Sequence, residues 1–231
     1  MKLLATCFLL ITAFSSFAQE EEDRILVKFA PLAMLDEVSF PTVQAGVEVA
    51  LGPKTSWYNE FGIRYRKTSG ESSVDTNFVC TSGFKIKSEF RYYFSGLFGE
   101  EVQQLWGRYV GINLFYTRTV NDAQINYYYQ KDETQAFEDN FGVTKNVWGT
   151  NVVLGQQSDI GEHFRFDIYG GCGIRFSDFT TEYLQFDPER DSQIKARHPN
   201  INVNKAGAAA NGENRTRFNF TFGIRFAYKL F

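Results

Sequence analysis

Arg217-Phe218-Asn219-Phe220-Thr221-Phe222-Gly223-Ile224-Arg225-Phe226-Ala227-Tyr228-Lys229-Leu230-Phe231 closes the chain, and its even positions are all Phe, Ile, Tyr or Leu. The odd positions from 219 to 229 are Asn, Thr, Gly, Arg, Ala and Lys. Alternation of period two held this long describes one β-strand with an apolar face and a polar face. A Phe-rich strand that runs to an aromatic end predicts a membrane-spanning β-barrel closed by its last strand.

The same alternation recurs along the chain. Ile25–Leu35 is expected as a strand that bulges or stops at Pro31, because proline cannot donate to a ladder. Thr42–Leu51 and Ser56–Arg66 alternate cleanly around the tight turn Gly52-Pro53-Lys54. A polar loop, Lys67–Thr81, leads to a fourth strand ending at Phe94, and Arg108–Arg118 forms a fifth. Between them Ser95–Gly107 is read as an irregular turn. Thr119–Lys145 reads as a long polar connection holding Tyr127-Tyr128-Tyr129. Val147–Gln157, Phe164–Phe176 and the closing strand complete eight, with Ser177–Asn214 as the longest connection. Long connections on one side and short turns on the other match an outer-membrane barrel with both termini in the periplasm.

Met1–Ala18 has a basic residue, an apolar run and a Ser16-Phe17-Ala18 cleavage site, so a signal peptide is expected, leaving 19–231 as one barrel domain. Losing Lys2 moves the net charge from −3 to −4, and no basic stripe with stacking aromatics argues for nucleic acid. Cys80 and Cys172 fall on strands that are not neighbours, which predicts neither a disulfide nor a metal motif. Aromatic residues make up 17% of the chain while mean hydropathy is −0.30. Large apolar residues dispersed singly among polar ones suit a barrel wall.

Alternation alone also fits a soluble lipocalin-like barrel with the apolar face inside. Volume separates the two: an eight-stranded interior has no room for the apolar face's aromatics, about 18 of them. That face is therefore expected to meet lipid, with Trp57, Tyr65, Tyr92, Tyr116, Trp148 and Tyr228 as interfacial girdle residues.

The stretches Val27-Lys28-Phe29-Ala30-Pro31-Leu32, Ala45-Gly46-Val47-Glu48, Phe90-Arg91-Tyr92-Tyr93-Phe94 and Asp167-Ile168-Tyr169-Gly170-Gly171-Cys172-Gly173-Ile174-Arg175, together with the ending, span nearly all of the mature chain. In their order the chain resembles the small outer-membrane β-barrel proteins of Gram-negative bacteria, in the broad group with OmpA-like and OmpX-like domains. The resemblance implies outer-membrane lipid around the wall and an assembly machinery that reads the last strand. Here Phe231 departs from the usual signal, being out of phase with Leu230, Tyr228 and Phe226.

On the polar face Glu48, Glu60, Arg64, Lys87, Glu89, Arg91, Arg165, Asp167, Arg175 and Arg225 are expected to pair into a network. Such a network makes either a solid plug or a gated ion path. Neither His163 nor His198 has the His-x-Ser arrangement of a small-barrel lipid hydrolase, so no catalytic residue, cofactor or metal site is assigned. Asp187, Glu189 and Asp191 lack the spacing of a calcium loop. Tyr127, Tyr128 and Tyr129 are candidates to dock an extracellular protein or glycan, or else aromatics packed within a tall hairpin. The expectation is a non-enzymatic membrane protein acting through structure or its outer loops; the alternatives are a narrow channel or carrier, and then a lipid-modifying enzyme.

Overall fold

The structure is a computed structural model that describes residues 24–35, 40–65, 68–69, 78–94, 104–194, 209–210 and 215–230. The expected signal peptide, His198, Phe231, much of the Ser177–Asn214 connection and most of the 95–107 connection lie outside these residues.

Eight long antiparallel strands close into a ring. They are β1 (Ile25–Phe29), β2 (Thr42–Gly52), β3 (Thr55–Arg64), β5 (Phe78–Phe94), β6 (Gly107–Tyr128), β7 (Ala136–Ile160), β8 (Phe164–Glu182) and β10 (Arg215–Lys229). Two-residue strands β4 (Thr68–Ser69) and β9 (Ser192–Gln193) add to the edges of β5 and β6. Each long strand pairs with its neighbours in sequence, and β1 pairs with β10 in the register Leu26↔Lys229 to Phe29↔Phe226. The end carrying this closure's termini is called lower, and the β6–β7 tip upper.

Pro31 ends the first strand: β1 stops at Phe29 and a 3-10 turn spans Pro31–Leu35. β10 therefore has strand β8 along its full length but β1 only below Phe226. Three elements are longer than the sequence pattern suggests. The polar connection expected over Thr119–Lys145 is instead the upper half of one hairpin, with β6 and β7 paired from Gly107↔Gln157 to Tyr128↔Ala136. β8 continues past Phe176 to Glu182, and β5 begins at Phe78 inside the expected loop.

One parity rule holds around the ring. On β6, β7, β8 and β10 odd residues point inward, and on β2 and β3 even ones do. Outward, Ile112, Leu114, Trp148, Val152, Leu154, Ile174 and Phe220 are all exposed. At the lower end Leu26, Tyr93, Leu105, Tyr109, Val153, Tyr169 and Ala227 pack together across the ring. Leu105, held at φ 55° in the turn before β6, is 1% exposed and stops this end. Arg165 fixes that turn by donating to the Gln104 and Leu105 carbonyls.

Glycines face the interior where tyrosine rings cross it. Tyr109 lies opposite Gly155 on β7, and Tyr169 lies opposite Gly223 on β10. A Cβ at either glycine would collide with the facing ring. The missing side chain is what lets a large ring lie flat across the neighbouring strand.

Candidate functional site: a buried ionic plug

The lower half of the interior is filled by four cations and four carboxylates, Lys28, Lys87, Arg91 and Arg225 with Glu48, Glu60, Glu89 and Asp167. Six strands supply them. Asp167 on β8 accepts from Lys28 Nζ at 2.8 Å, Arg91 Nη1 at 3.1 Å, Arg225 Nη1 at 3.5 Å and the Tyr109 hydroxyl at 2.8 Å. Glu48 on β2 meets Lys28 Nζ at 2.5 Å and Arg91 Nη1 at 3.1 Å, and accepts from Ser56 and Tyr93 hydroxyls and from Gln157 Nε2. Glu60 takes Lys87 Nζ at 2.6 Å, Arg225 Nε at 3.1 Å and the Tyr58 hydroxyl. Glu89 takes Arg91 Nε at 2.6 Å and Asn113 Nδ2 at 3.2 Å.

Tyrosine rings wall the guanidinium groups. Arg91 stacks over Tyr58 and Tyr109, and Arg225 over Tyr58 and Tyr169, with its Cζ 3.7 Å from the Tyr169 centroid. Such contacts favour a desolvated cation by about 2 kcal/mol. Ionic groups this buried are tolerated only when every charge has an opposite partner and its lone pairs are used. Here the eight charges sum to zero. Above them Asn219 donates to Asn151, Asn151 to Asn113, and Asn113 to Glu89, which ties β10, β7, β6 and β5 by neutral amides.

Of the ten residues expected in the network, seven come together: Glu48, Glu60, Lys87, Glu89, Arg91, Asp167 and Arg225. Arg165 instead pairs with Asp159 at 2.8 Å at the lower rim. Arg64 donates to the Cys80 carbonyl near the upper end. Arg175 lies four inward positions above Asp167 on β8, outside the plug, and its buried Nε has no hydrogen-bond partner. Lys28 is the member the expected network lacked, although it sits on the polar side of its strand.

The tyrosine triplet splits. Tyr127 is buried in an upper cluster with Ile125, Phe141, Val143 and Phe186. Tyr128 points outward, and Tyr129 lies under Arg190, whose Cζ is 4.7 Å from its ring centroid. The segment after β8 is docked onto this hairpin by carboxylates accepting backbone N–H groups. Asp139 takes the amides of Gln185 and Phe186, and Asp191 those of Gln130 and Asp187. Hydrogen bonds from Arg190 hold the Asp191 carboxyl well below the usual carboxylate range. Among the described residues no His, Cys, Asp or Glu trio is placed to share a metal ion, and neither Cys80 nor Cys172 forms a disulfide. Comparison of the chain with family models, curated proteins and solved structures found no match.

Proposed function

We propose that the protein is an eight-stranded β-barrel of a bacterial outer membrane, non-enzymatic, with a plugged interior and a folded outer head through which it acts on the cell surface. In this reading Met1–Ala18 is removed on export, residues 19–231 form the barrel, both termini face the periplasm, and lipid surrounds the wall. The supporting observation is an inversion of sidedness along β6, β7 and β8. The outward row Tyr116–Trp148–Phe176 is aromatic, and the next outward row, Arg118–Asn146–Asp178, is polar. Below the change the wall is apolar outside and polar inside; above it Asp122, Gln124 and Asn126 face outward while Ala123, Ile125 and Tyr127 are buried. A wall immersed in lipid below that row and in water above it needs this arrangement. A soluble ring needs the apolar face inside throughout.

The head's outward Tyr128, together with the exposed rings of Phe137 and Tyr183, would supply contacts to an extracellular protein or glycan, since aromatic anchors dominate such interfaces. The neutral, side-chain-filled plug favours a wall that does not conduct.

The test is cell fractionation with gel mobility of the protein boiled against unboiled. Recovery in the outer membrane with a heat-dependent shift is expected. Recovery as a soluble periplasmic protein without a shift would overturn the reading. A planar bilayer is expected to stay silent; discrete conductance steps would replace the plug by an ion path.

A further inference from the structure

Arg175 and Arg217 are direct partners across the β8–β10 ladder and both lie on the inward face. Their Cα atoms are about 5 Å apart. Like charges directly opposite on one face of a sheet repel, so an unoccupied pair of this kind works against the fold. Arg215 follows one inward position higher, opposite Ser177. On its other side Arg175 faces Gly149, which has no side chain to neutralise it. The acids of upper β8, Asp178 and Glu182, point outward and are exposed.

The plug offers a contrast. Its buried donors without an acceptor, Arg91 Nη2 and Arg225 Nη2, belong to guanidinium groups already held by carboxylates. Arg175 Nε is equally buried, has no hydrogen-bond partner, and its guanidinium meets no carboxylate among the described residues. Arg217 is exposed, so solvent reaches the pair.

We propose that Arg175 and Arg217 form a binding site for a dianionic oxyanion of the phosphate class. Two guanidinium forks present paired N–H donors to one tetrahedral anion, the geometry in which Arg surpasses Lys. The Ser177 hydroxyl, one inward position above Arg175, is an additional donor of the right reach. The anion cancels the cross-strand repulsion and takes the orphaned Nε. This goes beyond the surface role proposed above and stands on the interior alone. The phosphate has two possible sources. It is either a free solute or the headgroup of a phosphorylated lipid reaching in over the rim, because Arg175 faces inward at the height of the outward Phe176, in the aromatic row where the wall changes polarity. Only the lipid source rests on the membrane reading.

The full chain, folded in detergent micelles, is titrated calorimetrically with inorganic phosphate and separately with mixed micelles containing phosphatidic acid. Saturable one-to-one binding is expected, weakened by about ten-fold or more in Arg175→Gln and in Arg217→Gln, and less in Arg217→Lys, which keeps charge but not the fork. Ser177→Glu leaves both arginines in place and is expected to abolish binding by supplying an internal carboxylate. Saturation by inorganic phosphate identifies a solute site, and saturation by the lipid alone a headgroup site. Absence of binding with both probes would overturn the proposal. So would equal binding by wild type, Arg217→Gln and Ser177→Glu when all three keep the heat-dependent gel shift. A protein that fractionates as soluble but binds phosphate, titrated in buffer, would sink the membrane reading and leave this site standing.

Discussion

The lower and upper halves of the β6–β7 hairpin are one continuous ladder with the same inward parity, yet their contents are opposite. Below the Tyr116–Trp148 row the inward side holds Asn113 and Asn151 and the outward side holds Leu114 and Val152. Above it the inward side holds Ile125 and Phe141 and the outward side holds Gln124 and Asn140. Backbone pairing is indifferent to this exchange; only the medium on each side decides which content is stable. The comparison teaches that the ladder supplies shape while two different cores hold it, an ionic one below and an apolar one above.

The largest expected effect comes from unbalancing the lower core. Asp167→Asn keeps the shape but leaves three cations facing a neutral amide, and removing one partner of a buried charged group costs about 3–5 kcal/mol. Unfolding in urea, followed by loss of the heat-dependent gel form, is expected to move by that amount while the head's protection from protease is retained. An unchanged midpoint would mean that the plug contributes nothing to closure.

Next comes the outward face. Leu114→Arg is expected to destabilise by about 2–4 kcal/mol if lipid covers that position, whereas Asn126→Arg, twelve residues higher, should stay within about 0.5 kcal/mol. Equal tolerance of both substitutions in a lipid refolding assay would erase the distinction between the halves. Smaller again is Gly155→Ala, whose added Cβ meets the Tyr109 ring; overpacking of this kind costs about 1–3 kcal/mol. Its signature is a shifted Tyr109 environment in near-ultraviolet circular dichroism.

The smallest effect lies in the head. The Asp191 carboxyl is depressed chiefly by Arg190 and by the Gln130 and Asp187 amides. A depressed carboxylate stabilises fully above its unfolded pKa, about 4, and loses that contribution as pH falls below it toward the folded value. Amide exchange at Gln130 and Asp187 should therefore be equally protected at pH 7 and pH 5 and rise under stronger acid. Asp191→Asn should show the raised exchange already at pH 7.

Much of this architecture is legible in the residues. The period-two runs mark all eight strands, and Pro31 marks the early end of β1. Parity also assigns each charged side chain of the plug to the inward face, Lys28 included. Parity does not give height, however. Arg64, Arg165 and Arg175 share the inward face with the plug but stand above or below it, because the stagger between strands is set by pairing that no single strand encodes. The upper hairpin was hidden for another reason. From Asn121 to Tyr128 the alternation continues, but its apolar phase has moved from even to odd positions. A reading that follows apolar residues on one fixed face sees the strand stop where only its surroundings change. Tyr127 and Tyr129 likewise looked like surface anchors, because their covering residues, Phe186 and Arg190, arrive from a segment more than fifty residues later.

The pairing of Leu26 with Lys229 joins the two ends of the chain, about 200 residues apart, and so imposes an order of events on folding. Hairpins such as β6–β7 and β7–β8 need only local chain closure and can form early, whereas contacts this distant in sequence form slowly. Asp167 meets Lys28 only when β8, β10 and β1 are already assembled. Until that moment the carboxylates and cations of the plug remain hydrated on separate strands, and the desolvation they undergo comes in a single late step. Closure is then close to all-or-none, and the intermediate before it exposes the unpaired edges of both β1 and β10. An assembly factor that holds those two edges would act at the slowest point of the reaction.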